Sequence, residues 1–557
     1  MAGVRDELEA LLTEAVRRAQ EGGVVPPVAA PPPQLERPQR PEHGDYASSL
    51  ALRLARAAGR GANPQALARA IVDHLPAHPA VGAVEIAGPG FINVRLAEPW
   101  LASQVDAIIA AGERFGDQDL GRGRRVQVEF VSANPTGPIH VGNGRGAVFG
   151  STIAAVLRAA GYRVETEYYV NDGGSQIALF TATLYAHYQR LCGREAEPPA
   201  EGYAGEYMRE LAARIHAEQG AQLLAPPGAS PPDEIGLRGV RTLVDQIRSD
   251  LAELRVRYDS WYSERSLYAP EGRYEQAMRL LHERGYVTER EGATWLASTQ
   301  LGEDKDNVLV RRDGSPTYFA ADIAYHYDKF LVRGFDTVVD IWGADHQGHV
   351  SRMRAAVDAL GVDPERLRVL IYQLVTLKRG QEVVRLSKRA GDIITLREVL
   401  DEVGADACRF FFLSRSMDSQ MDFDLELAKR QSNENPVYYV QYAHARIAGI
   451  LRTAAERGAT PDRGDVQLLR HPAELALVRE MLTLPELVER VTQTLEPHLL
   501  PHYAMELATA FHAFYTECRV VSEDAALSSA RLRLTLAARI ALARVLGLMG
   551  MSAPERM

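Results

Sequence analysis

The feature that most limits the fold is the stretch RVQVEFVSANPTGPIHVGNGRGAVFGSTIAAVLRAAGYRVETEYYV, residues 125–170. An apolar run, VQVEFVS, enters a turn dense in proline and glycine. A helical pattern follows, stops at Gly161, and gives way to a second strand pattern, RVETEYYV. Strand, helix and strand in so short a span form a βαβ unit, which commits the strands to a parallel sheet. The helix N-terminus then offers unpaired N–H groups and a partial positive charge, which suits phosphate. His140, Gly142 and Asn143 sit at that N-terminus. Gly142 lets an anion approach the backbone, and the two side chains can donate hydrogen bonds to it. The same residues also fit a plain cap, an asparagine N-cap beside a turn histidine, and this stretch alone leaves both readings open. Its spacing matches neither the dinucleotide fingerprint nor the P-loop. No second histidine or carboxylate stands at metal-ligand spacing, so no metal held by protein ligands is expected.

A chain of 557 residues is too long for one core, and three units are expected. Residues 1–112 read as a small α+β domain: an amphipathic helix, a proline-dense stretch, an alanine- and arginine-rich helical region, and a strand, GFINVRL. Residues 113–430 carry the βα rhythm of a Rossmann-like parallel sheet, broken by an insertion at about 185–310. A hairpin is expected to turn at Asp313-Gly314. From about residue 400 the apolar spacing becomes helical, with no strand alternation, and residues 431–557 read as an all-α domain.

No apolar run approaches the ~20 residues needed to cross a bilayer, and the first twenty residues read as an amphipathic helix rather than a leader. Cys192, Cys408 and Cys518 lie far apart, which leaves no disulfide framework and no zinc spacing. The expected setting is therefore the cytoplasm, without a membrane partner, and the expected form is a monomer. A net charge of −10 argues against indiscriminate polyanion binding but permits local basic surfaces. Among 63 basic residues only Lys305, Lys329, Lys378, Lys388 and Lys429 are lysines. A lysine kept in a glycine-bounded loop then points to a need for its compact ammonium, against the bland reading of chance. Such a loop is LKRGQEVVRLSKRAGDIITL, where Ser387-Lys388-Arg389 precedes Gly391. It suits a clamp for a charged leaving group, or simply an exposed basic hairpin.

His140-Val-Gly-Asn143 and Arg385-Leu-Ser-Lys388-Arg389, with IWGADHQGH between them, resemble the two signatures of class I aminoacyl-tRNA synthetases. The stretches around NPTGPIH, YFAADIAYH, ADACRFFFL, PVYYVQYAHARI and the ending SAPERM narrow the resemblance to the arginyl-tRNA synthetase family. It covers nearly the whole chain. It implies a class I catalytic domain, an N-terminal tRNA-contacting domain and a C-terminal helical anticodon-binding domain. The implied reaction is ATP-dependent ligation of L-arginine to arginine tRNA through an arginyl-adenylate, releasing AMP and pyrophosphate, with Mg2+ carried by ATP.

Carried over by motif position, Glu129, Ser132 and Asn134 correspond to the amino-acid-binding set, with Glu129 left to either the guanidinium or the α-amino group. Tyr318 and Asp322 correspond to residues that meet the guanidinium and its stem. Their spacing of four places both on one helix face, and a carboxylate can take a guanidinium bidentately. The bland reading of Asp322 is a helix cap. A pocket that leaves carboxylates unpaired with lysine or citrulline discriminates by about 3–5 kcal/mol, so no editing domain is required. The resemblance puts His140, Gly142 and Asn143 on the ATP phosphates, Gly343, Asp345 and His346 by the adenosine, and Ser387 and Lys388 on the pyrophosphate. The implied catalytic set is His140, Asn143 and Lys388. For tRNA, Phe91 and Asn93 stand where base-contacting residues are expected. Tyr438, Tyr439, Tyr442, His444 and Arg446 mix the aromatics and cations that stack on unpaired bases, some of them as core.

Two positions depart from the family pattern. Asn143 stands where many members have histidine, which keeps a donor but loses a cation, and Arg385 stands in place of lysine. The cysteinyl relative would need a zinc site that these cysteines do not supply. A non-catalytic tRNA-binding chain is the alternative from another class, and intact Glu129, His140, Asp322 and Lys388 speak against it.

Overall fold

The computed structural model describes residues 3–557 apart from residues 60, 381 and 385–393. Its centre is a five-stranded, wholly parallel sheet. The strands are β1 (Arg125–Phe130), β2 (Arg163–Val170), β3 (Ser260–Ser263), β4 (Thr337–Gly343) and β5 (Leu367–Tyr372), in the order β5-β4-β1-β2-β3. Helix α1 (Val141–Ala159) makes the first crossover, and Gly161, with φ +83°, follows its end. The chain winds outward from β1 through β2 to β3, then crosses to β4 and β5 on the other side. The order reverses between β1 and β4, and a crevice opens beyond the carboxyl ends of strands at such a point.

Helix α1 lies unusually close to β1. A Cβ at Gly150 would stand 2.1 Å from the Phe130 ring, and one at Gly146 2.8 Å from Tyr372. Arg145, next to Gly146, is fully buried and donates to the carbonyls of Gln373, Ser416 and Ser419. These contacts explain the RGAVFG run: small residues face the sheet and one long cation ties the helix to the chain after β5.

The stretch expected as one insertion, 185–310, differs in one respect. Helices Glu206–Gln219 and Asp233–Glu253 leave the sheet, but β3 within that stretch returns to pair with β2. Four residues, SWYS, are too short to show a period. The turn at Asp313-Gly314 is present, with Arg311 N–H donating to the Ser315 carbonyl (2.9 Å). Its returning arm forms an isolated bridge, Val310–Pro316, with Thr317 N–H donating to the Leu309 carbonyl (2.9 Å), rather than a full strand, while Asn307–Val310 pairs with Ala293–Leu296. The absence of strands after about residue 400 is corrected by Met421–Asp424, which pairs in parallel with Val375–Arg379. Its MDFD pattern buries Met421 and Phe423 and leaves the aspartates outward.

At the N-terminal end, a four-stranded sheet with Phe91–Leu96 at its centre packs beneath helices Val4–Glu21, Leu50–Ala58 and Pro64–Asp73. From Pro436 the chain is helical, ending in Ala525–Leu548. These two regions meet: Arg37 bonds both Glu486 and the Tyr46 hydroxyl, and Arg479 donates to Asp45 (2.6 Å).

Candidate active site

The crevice at the β1–β4 reversal is a cleft of about 440 Å³. Glu129, Ser132, Asn134, Asn143, Tyr318, Asp322, Gly343, Asp345 and His346 all line it, so the structure brings these sequence-chosen residues together. His140 and Gly142 adjoin it beside Asn143. Ser387 and Lys388 lie outside the described residues. Residues 394–396, which follow them, are held at this turn, since Leu396 N–H donates to the Ile139 carbonyl (2.9 Å) and Val141 N–H to that of Ile394 (3.3 Å).

The first wall follows β1. Val131 (φ +71°) and Ser132 (φ +41°) are consecutive left-handed residues, and the Ser132 N–H closes a tight turn onto the Phe130 carbonyl (3.1 Å). A β-branched residue in this conformation is strained by roughly 1–3 kcal/mol. The turn sends the Ser132 hydroxyl back to Glu129 (2.9 Å) while its oxygen accepts from Tyr169 N–H (3.1 Å). Asn134 then reaches Gln176 (2.8 Å).

At the helix N-terminus the capping roles are the reverse of those considered. His140 is the cap: Gly142 N–H donates to its Nδ1 (2.8 Å), and Asn143 Oδ1 accepts from the His140 N–H (3.3 Å). A Cβ at residue 142 would meet Nδ1 at 2.9 Å, which gives Gly142 a structural reason of its own. Burial lowers the His140 pKa. With Nδ1 accepting, a neutral ring carries its hydrogen on Nε2, and the Asn143 amide NH2 remains a donor beside it.

The opposite wall is α2 (Tyr318–Tyr327), capped by Thr317. Tyr318 and Asp322 share one face, as their spacing required. Among the described residues no cation or donor reaches the Asp322 carboxylate, whose pKa is pushed up to about 6 by burial, with Glu129 and Asp340 also raising it. Nearby, burial together with Asp322 and Asp172 lifts Glu264 to about 7. Asp345 and His346 pair across 3.4 Å at the mouth.

Sequence reasoning did not find Tyr169, Gln176, His326, Lys329, Asp340, His349 or Tyr372 as part of this region. The scarcity of lysine was the available signal for Lys329. It is fully buried, and its Nζ donates to Glu129 (2.6 Å) and Asp340 (2.9 Å).

Two other places carry the sequence-chosen aromatic and polar residues. Tyr438 and Tyr442 stack at 5.8 Å and 9°, Arg446 lies over the Tyr442 ring at 5.0 Å, and all three line a cavity of about 610 Å³ with Tyr439 and His512. His444 instead is buried, its Nδ1 2.8 Å from the Pro554 carbonyl. On the N-terminal sheet Phe91 is exposed whereas Asn93 is buried.

Residues 104–423 match the family model for the class I (R) tRNA synthetase catalytic domain, residues 6–96 that for the arginyl tRNA synthetase N-terminal domain, and residues 440–557 that for the DALR anticodon binding domain. The chain is 54% identical over 546 residues to an arginine–tRNA ligase of Dehalococcoides mccartyi strain CBDB1, covering 98% of each. It is 48% identical over 561 residues to that of Heliobacterium modesticaldum, covering 100% of this chain and 99% of the relative. The Thermus thermophilus arginyl-tRNA synthetase structure shares its fold at a TM-score of 0.77 and 24% identity, over 99% of this chain and 100% of that one.

Proposed function

The chain belongs to the arginyl-tRNA synthetase family and joins arginine to tRNA in an ATP-dependent reaction, and from that premise we propose how its cleft divides the work. Asp322 takes the substrate guanidinium. The supporting observation is its place: the Asp322 carboxylate lines the cleft wall with no cation or donor bonded to it among the described residues, which leaves both oxygens for a planar five-donor cation. Tyr318, on the same helix face, covers the substrate's stem. Ser132 and Asn134 hold the other end, and Glu129, already bonded to Lys329 and Ser132, closes the pocket floor.

The nucleotide lies across the helix N-terminus. His140 Nε2–H and the Asn143 amide donate to its phosphates, and Gly343, Asp345 and His346 border the adenosine. Ser387 and Lys388 meet the pyrophosphate, with Mg2+ carried by the nucleotide. In-line attack of the arginine carboxylate on the α-phosphorus forms the adenylate and expels pyrophosphate, with positioning and charge stabilisation as the protein's share. A terminal tRNA hydroxyl then attacks the adenylate and releases AMP. The domain limits proposed are 1–112, 113–430 and 431–557. No helix among the described residues is long and apolar enough to cross a membrane. The proposed setting is a cytoplasmic monomer, where its three free cysteines stay reduced.

The pH dependence of arginine use tests the Asp322 role. The free pocket binds a proton near pH 6 and the bound guanidinium expels it, so arginine binds better as pH rises. KM for arginine should fall about tenfold between pH 5 and pH 7 in the wild type. A flat profile would contradict the assignment.

The helical domain takes unpaired anticodon bases on Tyr438, Tyr442 and Arg446, while Phe91 faces the outer corner of the tRNA and the buried Asn93 lies behind that face. Tyr442→Ala should weaken tRNA binding by about 1–3 kcal/mol with KM for arginine unchanged. Unaltered tRNA affinity by filter binding would place the contact elsewhere.

A further inference from the structure

Three carboxylates stand in one row across the sheet. Glu129 of β1 is directly opposed in register by Asp340 of β4 on one side and by Glu167 of β2 on the other. Adjacent like charges repel, and all three are buried. Besides Ser132, which donates to Glu129, and Gln127 of β1, which donates to Glu167 (2.6 Å), their partners come from α2, the π-helical turn Asp328–Val332 that extends it, and Arg333 just after. Tyr325 hydroxyl (2.5 Å) and Arg333 (2.9 Å) donate to Glu167. Lys329 bridges Glu129 and Asp340. His326 lies with Nδ1 2.7 Å from the Asp322 carbonyl and Nε2 2.9 Å from Asp340. The π turn adds a residue to the helical repeat, and such bulges recur at functional sites.

Resting on the assignment of Glu129 and Asp322 to the arginine pocket, we propose that Lys329 is a positioning residue for arginine selection. By bridging Glu129 and Asp340 it keeps Glu129 ionised and aimed at the cleft. Asp322 is then left in the cleft wall with no cation or donor bonded to its carboxylate among the described residues, so the substrate guanidinium meets it directly.

Among the described residues Lys329 is the only cation bonded to Glu129, whose other partner is the Ser132 hydroxyl, whereas Asp340 also has the His326 ring. Burial pushes the Glu129 carboxyl up, and Lys329 opposes this. The other groups facing Glu129 are the Ser132 hydroxyl, which donates to it, His326, which favours its charge, Asp340 and Asp322, which oppose it, and the rings of Tyr169, Tyr258 and Tyr325. Lys329 itself also lies against the Tyr325 ring, 4.0 Å from its centre. Without the lysine, Glu129 takes up a proton.

The test is arginine-dependent ATP–pyrophosphate exchange in the presence of tRNA, from pH 6 to pH 9, with folded fractions checked by thermal unfolding. Lys329→Met should raise KM for arginine about tenfold at pH 7 with KM for ATP unchanged, and the loss should shrink as pH rises and Glu129 recharges. Lys329→Arg should restore most of the affinity. Should Lys329→Met fail to fold, the double variant K329M/D340N removes the opposed charge as well, and its KM should lie between those of the wild type and E129Q. An arginine KM at the wild-type value in K329M or K329M/D340N, while E129Q raises it, would overturn the proposal. An unchanged KM in E129Q would instead remove Glu129 from the pocket, and the proposal with it.

Discussion

Asp322→Asn is expected to raise KM for arginine at least tenfold, about 1.4 kcal/mol or more, while KM for ATP stays within about twofold. An amide offers one acceptor in place of two and turns an NH2 donor toward a substrate that is all donors. Because no protein cation pairs with Asp322 among the described residues, the substitution orphans nothing. Burial already disfavours its charge, so thermal stability should hold or rise slightly, the usual relation where a site carries strain for function. An unchanged arginine KM, from steady-state aminoacylation, would take Asp322 out of the pocket.

Gly150→Val should act through packing rather than charge. The Cβ would overlap the Phe130 ring at 2.1 Å, and Phe130 is the last residue of β1, next to the strained turn that aims Ser132. Overpacking of this kind costs about 3 kcal/mol. A displacement of about 1 Å at the strand end should lower kcat/KM roughly a hundredfold in the folded fraction. Gly449→Ala is the control. Its Cβ meets nothing nearer than Arg452 at 3.7 Å, and alanine gains up to about 1 kcal/mol over glycine within a helix. Equal melting temperatures for Gly150→Val and wild type would contradict the close approach of helix and strand.

What could be read from the sequence was what depends on local pattern. The apolar run VQVEFVS and a helix ending on Gly161 gave the βαβ unit, and four-residue spacing put Tyr318 and Asp322 on one wall. What could not be read depends on non-local register. Nothing local in EFVSAN marks Val131 as left-handed, because the strain is set by the Ser132 hydroxyl meeting Glu129 and the Tyr169 N–H. The acid row becomes visible only once β1, β2 and β4 are aligned. Lysine scarcity was read for Lys388, and for Lys329 it offered no partner, since Glu129 is 200 residues away. The short strands Ser260–Ser263 and Met421–Asp424 owe their pairing to neighbours rather than to propensity.

The proposed division of the cleft has Asp322 holding the arginine guanidinium, Glu129 closing the pocket floor and the α1 N-terminus holding ATP. The most direct test is ATP–pyrophosphate exchange in the presence of tRNA, with arginine, lysine and citrulline supplied in turn. The account predicts exchange with arginine, and rates lower by about two orders of magnitude or more with lysine and citrulline, as a mismatch of 3–5 kcal/mol requires. Equal exchange with lysine, or none with arginine while tRNA is still bound, would contradict it.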